Sequence, residues 1–417
     1  MEVSLFDEEY ITPIEKESSF SLDEIQSIVL KSNVTKDEYT DYIQDSYDLK
    51  VGEVSKVCIP NKLHLESLGD WNIGVICGSS GSGKTTILKH LAMNNGCTID
   101  TPKFDNNIAL ISNFKNLSPK DATLLLSQMG LASVPTWIRP FCVLSNGEQY
   151  RASLAKQVSD ANEEDIIFID EYTSVVDRTV AMSMSNALQK YIRRHNKRII
   201  LATCHYDIFE WLRPDWIYDL NKGGTLEKGE YLRRKRPQIE LQVYRTTTDT
   251  WERFKKYHYM TSDLNSTATC FVFTWNDKLV GFAATLTMPN GSIKNGIRGH
   301  RTVVLPDYQG LGIGSKITEF IAGIYKRNGQ PYYTKTVNPA LGFYRENSPN
   351  WKATGYNMKS VSLKTIDTND FNGLYGLTRK SFCHKYIGDP IYGYEDLLLS
   401  TEQLRLKIKN ENQLTLF

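Results

Sequence analysis

The seven cysteines of this 417-residue chain, at positions 58, 77, 97, 142, 204, 270 and 383, form no C-x-x-C pair. That scatter argues against a disulfide framework or a cysteine-rich zinc cluster and suits a reducing compartment. No apolar run approaches the length of a membrane span, and the N-terminus has no signal-peptide pattern. The expectation is a cytoplasmic protein with no membrane segment. Internal repeats and low-complexity tracts are absent too. An overall excess of one charge is lacking, since the net is +1. That balance hides an asymmetry. Residues 240–417 carry 22 Lys and Arg against 15 Asp and Glu, while residues 1–50 carry 4 against 13. A basic C-terminal half is compatible with a polyanionic partner, although ordinary scatter could also produce it. What is present is ordinary for a globular chain, 41% hydrophobic and 23% charged. Its length exceeds one core, so two or three domains are expected.

Residues 1–50 read as an acidic arm or small module, with Leu22, Ile25, Ile28 and Val29 spaced as in a short helix. Strand-like and helix-like segments then alternate over 51–225, the pattern of a mainly parallel α/β sheet. Within it Gly78-Ser79-Ser80-Gly81-Ser82-Gly83-Lys84-Thr85 follows the strand-like Asn72–Cys77 and precedes a helical pattern through Met93. A glycine loop between strand and helix aims backbone N–H groups at phosphate oxygens, and the helix start adds partial positive charge. Gly78, Ser79, Gly81, Gly83, Lys84, Thr85 and Thr86 are therefore the expected ATP cradle. Lys84 would reach the β/γ-phosphates and the Thr85 hydroxyl would hold Mg²⁺.

Four further motifs follow in order. Leu144-Ser145-Asn146-Gly147-Glu148-Gln149 opens a helix expected from Glu148 to Val158. Ile166–Ile169 is an apolar strand ending in Asp170 and Glu171. Ser174–Asp177 comes next, and the strand Ile199–Thr203 leads to His205. Together with the phosphate loop these resemble the ABC-type ATPases, Leu144–Gln149 matching their LSGGQ signature with Asn146 in place of the first glycine. The resemblance implies that two subunits sandwich two ATP molecules, as a homodimer. Ser145 and Gly147 would contact the γ-phosphate held by the partner, with Asp177 at the dimer seam and His205 as the switch histidine. Asp170 would serve Mg²⁺, and Glu171 would be the general base orienting the attacking water. The family's glutamine between phosphate loop and signature is not evident; Asn113, after a strand-like Ile108–Ile111, is the candidate, and Gln128 reads as a helix-surface residue. Only 60 residues separate Lys84 from Leu144, so the helical insertion is small.

Residues 226–238 read as a linker. Its basic run Arg233–Arg236 suits a solvated surface better than a nucleic-acid contact. A second unit over 239–360 runs strand, helix, a hairpin through Asn276-Asp277, the strand His300–Leu305, a glycine loop, a helix from Ser315 to about Arg327, and the strand Tyr332–Val337. Gln309-Gly310-Leu311-Gly312-Ile313-Gly314 matches Q/R-x-x-G-x-G/A, and in this order of elements it resembles the GNAT-type acetyltransferases. The resemblance implies an α+β fold that holds the pyrophosphate of acetyl-CoA, or of another acyl-CoA, on Gln309, Gly310, Gly312 and Gly314, with Val303 and Val304 beside the donor. Tyr344 is the nearest match to the family's proton donor to the departing thiolate. No general base is evident: His300 could deprotonate an amine or be a structural histidine.

Residues 361–412 form a C-terminal extension with a helical-looking Glu395–Lys409. The last five residues, 413–417, resemble the peptide by which replication proteins dock on a sliding clamp, with Gln413, Leu414, Leu416 and Phe417 as contacts; the alternative is a chain end folded on the core. The whole resembles ABC–GNAT fusions, and the second domain is distantly similar to Mom-type phage enzymes that modify DNA adenine. The expected function is thus an ATP-hydrolysing ABC-type ATPase coupled to a CoA-dependent acyltransferase that modifies DNA bases near the clamp. Acylation of RNA or protein, or a non-catalytic ATP-gated DNA-associated role, are the alternatives.

Overall fold

A computed structural model describes residues 27–47, 54–99, 101–162, 164–234, 237–258, 263–289, 291, 293–361, 379–399 and 403. Two compact units divide the chain: 1–100 with 161–174 and 192–235, and 101–160 with 175–191 and 236–417.

In the first unit, β1 (Ser27–Asn33) pairs antiparallel with β2 (Val54–Pro60). Ile28 and Val29 therefore belong to a strand and not to the expected helix, because a partner strand supplies the backbone hydrogen bonds. Leu22 and Ile25 lie outside the described residues. The main sheet has five strands, β3 (Ile73–Cys77), β4 (Ile166–Ile169), β5 (Arg198–Thr203), β6 (Trp216–Asp219) and β7 (Thr225–Lys228), in the order β4-β5-β3-β6-β7. All neighbours are parallel except β6 and β7. Every residue of β3 is buried, as a central parallel strand covered on both faces requires. Trp216 lies against Gly74, where an added Cβ would come within 1.9 Å of its ring.

The second unit holds helices Pro119–Gln128, Asn146–Asp160 and the start of Arg178–Arg194, together with a seven-stranded sheet. Its strands are β8 (Gln242–Thr246), β9 (Thr269–Trp275), β10 (Lys278–Thr287), β11 (Ile297–Val304), β12 (Tyr332–Thr336), β13 (Trp351–Ala353) and, past the small β14 (Ser360–Val361) and β15 (Arg379–Lys380) pair, β16 (Phe382–Tyr386). The order is β13-β16-β12-β11-β10-β9-β8. β9 and β10 form the expected hairpin, with Asn276 (φ 49°) and Asp277 (φ 60°) both left-handed, as a two-residue turn matching strand twist requires. Helix Ile313–Arg327 buries Ile313, Ile317 and Ile321 on one face of the sheet. The 3-10 turns from Thr248 to Tyr257 place Trp251 and Phe254 on the other, where the sequence reading expects a helix.

Four expectations change here. The linker expected over 226–238 begins too early, since Thr225–Lys228 is β7 of the main sheet and Glu230–Arg233 is helical. The boundary at 360 is too early, since β16 sits between β12 and β13. Ile108–Ile111 is not a strand; a 3-10 turn, Leu110–Asn113, stands there, and the Asn113 amide is committed to Asp105 N at 2.8 Å and Ala109 O at 3.2 Å. Glu395–Leu398 is a 3-10 turn and Gln403 is helical; the remaining residues to Lys409 and the peptide 413–417 lie outside the described residues.

Phe382 covers Gly342, where a Cβ would come within 2.2 Å of its ring. Phe382→Ala is expected to destabilise the second unit by about 3–5 kcal/mol in a denaturant titration. A loss below about 1 kcal/mol would mean that β16 does not complete this core.

Candidate functional site

Parallel strands in the order β4-β5-β3 bring three loops to one sheet edge, the place where open α/β sheets bind ligands. From β3 comes Gly78–Thr85, from β4 Asp170-Glu171, from β5 Cys204-His205. The phosphate loop turns on Gly81 (φ 78°) and Gly83 (φ 93°), a backbone region that costs side-chain-bearing residues energy. Helix Lys84–Asn94 starts there, so its first amides have no carbonyl a turn behind them. Thr85 and Thr86 lie in that first turn. The Lys84 ammonium donates to Gly78 O at 3.0 Å and Ser79 O at 2.7 Å. The amide of Ser79 donates to Asn221 Oδ1 at 3.0 Å. Asn221 and the Tyr206 hydroxyl in turn donate to Asp219 at 3.0 and 2.9 Å. Burial, with the Asp219 carboxylate nearby, pushes the Cys77 thiol up to about 12 against the hydrogen bond from Tyr206, so it stays protonated. Asn221 and Asp219 were missed in the sequence, where nothing but their distance from a motif marks them.

The segment after β4 carries two left-handed side-chain-bearing residues, Glu171 (φ 48°) and Thr173 (φ 69°). Such strain persists where surrounding bonds over-determine it, often at active sites. Those bonds are visible. Glu171 N donates to Asp170 Oδ1 at 2.8 Å, Tyr172 N to Ala202 O at 2.8 Å, and Thr203 Oγ1 to Tyr172 O at 2.8 Å. His205 Nδ1 lies 3.1 Å from Thr173 Oγ1, and His205 N donates to Thr203 Oγ1 at 3.1 Å. Glu171 and His205 are thus set by one hydrogen-bonded lattice.

In the second unit, Ser145 and Glu148 form a reciprocal cap. The amide and hydroxyl of Ser145 each donate to Glu148 Oε2 at 3.0 Å, and Glu148 N donates to Ser145 Oγ at 3.4 Å. The helix consequently starts at Asn146, before the expected Glu148. An added Cβ on Gly147 would lie 3.4 Å from Val180. Asp177 Oδ1 accepts from Thr179 N at 2.8 Å and opens helix Arg178–Arg194.

The second glycine turn runs from Gln309 to Gly314, with Gly310 (φ 92°) and Gly312 (φ 86°) left-handed and the helix beginning at Ile313. Gly312 is exposed, and a Cβ there would meet nothing within 4 Å. Gln309 turns away from this opening: its Nε2 donates to Val304 O at 2.9 Å and its Oε1 accepts from Ala132 N at 2.8 Å. The Val303 side chain is buried in the core, and the residue is registered against Phe282 of β10. β11 pairs with β12 only through Ile297 and Arg298, so the strands have no ladder between them toward the turn.

Tyr344, on helix Pro339–Asn347, donates its hydroxyl proton to Glu319 Oε1 at 2.7 Å. Burial and that carboxylate push it up to about 12. His300 occupies a β-bulge: the register of β10 on β11 passes from Ala284–Arg301 to Thr285–Gly299, leaving it the extra residue. Burial, with Arg301 and Arg298 beside it, pulls its imidazole down to about 4.

One feature was not legible as a motif. Arg298 pairs with Tyr333, Tyr333 with Lys385, and Lys385 with Lys352. Registered partners share a face, so four strands carry a basic row interrupted by one aromatic ring, with Lys385 Nζ 5.8 Å from the Tyr333 centroid. Lys335, two residues along β12 from Tyr333, adds a fifth member on that face. The opposite face of these strands buries Tyr332, Trp351 and Tyr386.

Among the described residues no helix is long and apolar enough to cross a membrane.

Two family models match the chain. The family described as ATPase family associated with various cellular activities (AAA) matches residues 75–215, and the acetyltransferase (GNAT) domain family matches 266–347. Among solved structures, two dimeric structures of the ATP-binding cassette MJ0796, one bound to ADP and Pi and one titled a bacterial ABC transporter cassette, each align at 17% identity and TM-score 0.33, over 43% of this chain and 94% of theirs. CbiO1 from Clostridium perfringens, part of the ABC transporter complex cbiONQ, aligns at 16% identity and TM-score 0.30, over 46% of this chain and 84% of its own. No curated protein matches. The two family matches support an ATPase region followed by a GNAT acetyltransferase domain.

The fold favours neutral His300, so its contribution to stability is complete above the ordinary value of 6.5 and is lost as pH falls from there toward 4. The C2-proton resonance of His300 is expected to stay constant from pH 8 to about 5.5. An inflection near the unperturbed value would contradict the burial described here.

Proposed function

We propose that this chain, an ATPase and a GNAT acetyltransferase in one polypeptide, acts as a homodimer that closes around two ATP molecules and transfers an acyl group from acetyl-CoA, or another acyl-CoA, to an amine on DNA. The observation that supports the two-donor part is the pair of glycine turns, each opening a helix whose first turn has no side-chain cap. Thr85 and Asp170 are the residues that would hold Mg²⁺, which when bound neutralises charge on the β- and γ-phosphates. Glu171 orients the attacking water, His205 contacts the γ-phosphate, and Ser145, Gly147 and Asp177 serve the partner's nucleotide.

In the acyltransferase, the amides at Gly312–Ser315 bind pyrophosphate, and the edge of β11 beyond Arg298, where no ladder to β12 is formed, receives the rest of the donor. The acceptor nitrogen attacks the thioester carbonyl and the CoA thiolate leaves. His300 is neutral at pH 7, and once the attacking nitrogen carries positive charge its proton can pass to so weak a base. Tyr344 keeps its proton at pH 7 and returns it to the thiolate by leaving Glu319.

The observation supporting a nucleic-acid acceptor is the row Arg298, Tyr333, Lys385 and Lys352, a cationic surface with an aromatic ring for stacking. Gln413, Leu414, Leu416 and Phe417 are kept as a clamp-docking peptide on their sequence alone. The direct test of the acceptor is mass spectrometry of nucleosides from cells with and without the protein. An acylated deoxynucleoside is expected; acylated ribonucleosides alone would move the substrate to RNA. In fluorescence anisotropy with duplex DNA, K352E/K385E is expected to lower the log–log salt slope by about 2, one per lost phosphate contact. An unchanged slope would remove the sheet face from the DNA path.

A further inference from the structure

The pyrophosphate loop of the acyltransferase is only half its own. Residues 307–310 are held by segments from the ATPase family match. Asn186, on helix Arg178–Arg194, donates through Nδ2 to Gly310 O at 2.9 Å. Ala132 N donates to Gln309 Oε1 at 2.8 Å. Gly310 leaves no room for change: a Cβ there would lie 3.0 Å from both Ala187 Cβ and Ser183 O. Gly130, left-handed at φ 86°, lies between the Arg151 side chain and Gln309 O, each 3.4 Å from where its Cβ would be. Arg151 comes from helix Asn146–Asp160. It is buried at 1% exposure, and its Nε and Nη1 have no hydrogen-bond partner among the described residues. The carboxylates of Asp307 and Glu148 favour its charge against burial. Asp177 acts in the same way on Tyr308, adding to the burial that raises that hydroxyl.

We propose that Asn186 is a positioning residue for the acyl-CoA pyrophosphate loop, and that through it acyl-CoA and ATP bind this chain with linked affinities. Two helices reach the loop, and each begins at a residue assigned above to the partner's nucleotide. Ser145 and Gly147 start the helix that carries Arg151; Asp177 starts the helix that carries Asn186. Asn186 stands nine positions along from Asp177, about 14 Å of stiff backbone. Closure of the ATP sandwich therefore loads the segments on which Gln309 and Gly310 rest, while Gly312–Ser315 stay open to receive phosphate. Coupling of this kind is reciprocal: ATP must change acyl-CoA affinity by the factor by which acyl-CoA changes ATP affinity.

The inference rests on reading Gln309–Gly314 as the acyl-CoA loop, and the test separates the two. Acetyl-CoA binding to the full chain is measured by calorimetry with and without a slowly hydrolysed ATP analogue and Mg²⁺, and analogue binding is measured with and without acetyl-CoA. Both affinities are expected to shift by the same factor, about 5-fold or more. Acetyl-CoA that binds with an affinity indifferent to the nucleotide would overturn the linkage and leave the loop reading standing; no acetyl-CoA binding at all would overturn both. Asn186→Asp removes the donated hydrogen without changing volume, and Asn186→Ala removes the side chain. Either is expected to weaken acetyl-CoA about 10-fold and abolish the linkage in a chain whose analogue affinity without acetyl-CoA is unchanged. Acetyl-CoA affinity within 2-fold of wild type in both variants would remove the positioning role.

Discussion

The first amides of a helix have no carbonyl behind them, and a chain that starts a helix at a glycine turn leaves them to be satisfied from outside. This protein does so twice. Gly78–Thr85 leaves β3 with left-handed glycines at 81 and 83; Gln309–Gly314 leaves β11 with left-handed glycines at 310 and 312. At both places a side chain would disfavour the backbone, and a phosphorylated ligand is the natural acceptor for the amides. Neither turn uses a side-chain cap of the kind Ser145 and Glu148 provide at their helix.

The surroundings of the two turns differ. The phosphate loop lies at a sheet edge beside Asp170, Glu171 and His205, whose positions are fixed by main-chain and threonine hydrogen bonds running between β4 and β5. Two of the eight left-handed residues other than glycine among the described residues, Glu171 and Thr173, lie in that short segment. The second turn follows a single carboxylate, Asp307, with no Asp-Glu pair in its sequence. Its first half is seated on helix Arg178–Arg194 and its second half opens outward. In the proposed reading, the first turn serves hydrolysis with Glu171 orienting water, and the second holds a donor whose reactive arm lies at the neighbouring strand opening.

Much of the organisation was legible in the sequence because periodicity and glycine spacing are local properties. The apolar run Asn72–Cys77, the Asn276-Asp277 turn and the glycine pattern at 309–314 each specify their own conformation. What failed was whatever depends on a distant partner. Ile28 and Val29 have helical spacing, yet residues 54–60 offer them a strand. β16 is separated from the sheet it completes by a stretch with no periodic signal, so a boundary at 360 was the natural reading. Helix spacing hides that Ser145-Asn146-Gly147-Glu148 is also a capping box. The basic row Arg298, Tyr333, Lys385, Lys352 is assembled from four strands with no common sequence window, and Asn186 is an ordinary helix residue until Gly310 is placed beside it.

The central claim is that two helix starts hold two different phosphorylated compounds. A crystal structure with a non-hydrolysable ATP analogue and acetyl-CoA tests it most directly. The account predicts the triphosphate on the amides of Gly81–Thr86 and the CoA pyrophosphate on those of Gly312–Ser315. Either compound bound elsewhere, with its turn free of phosphate, would contradict it.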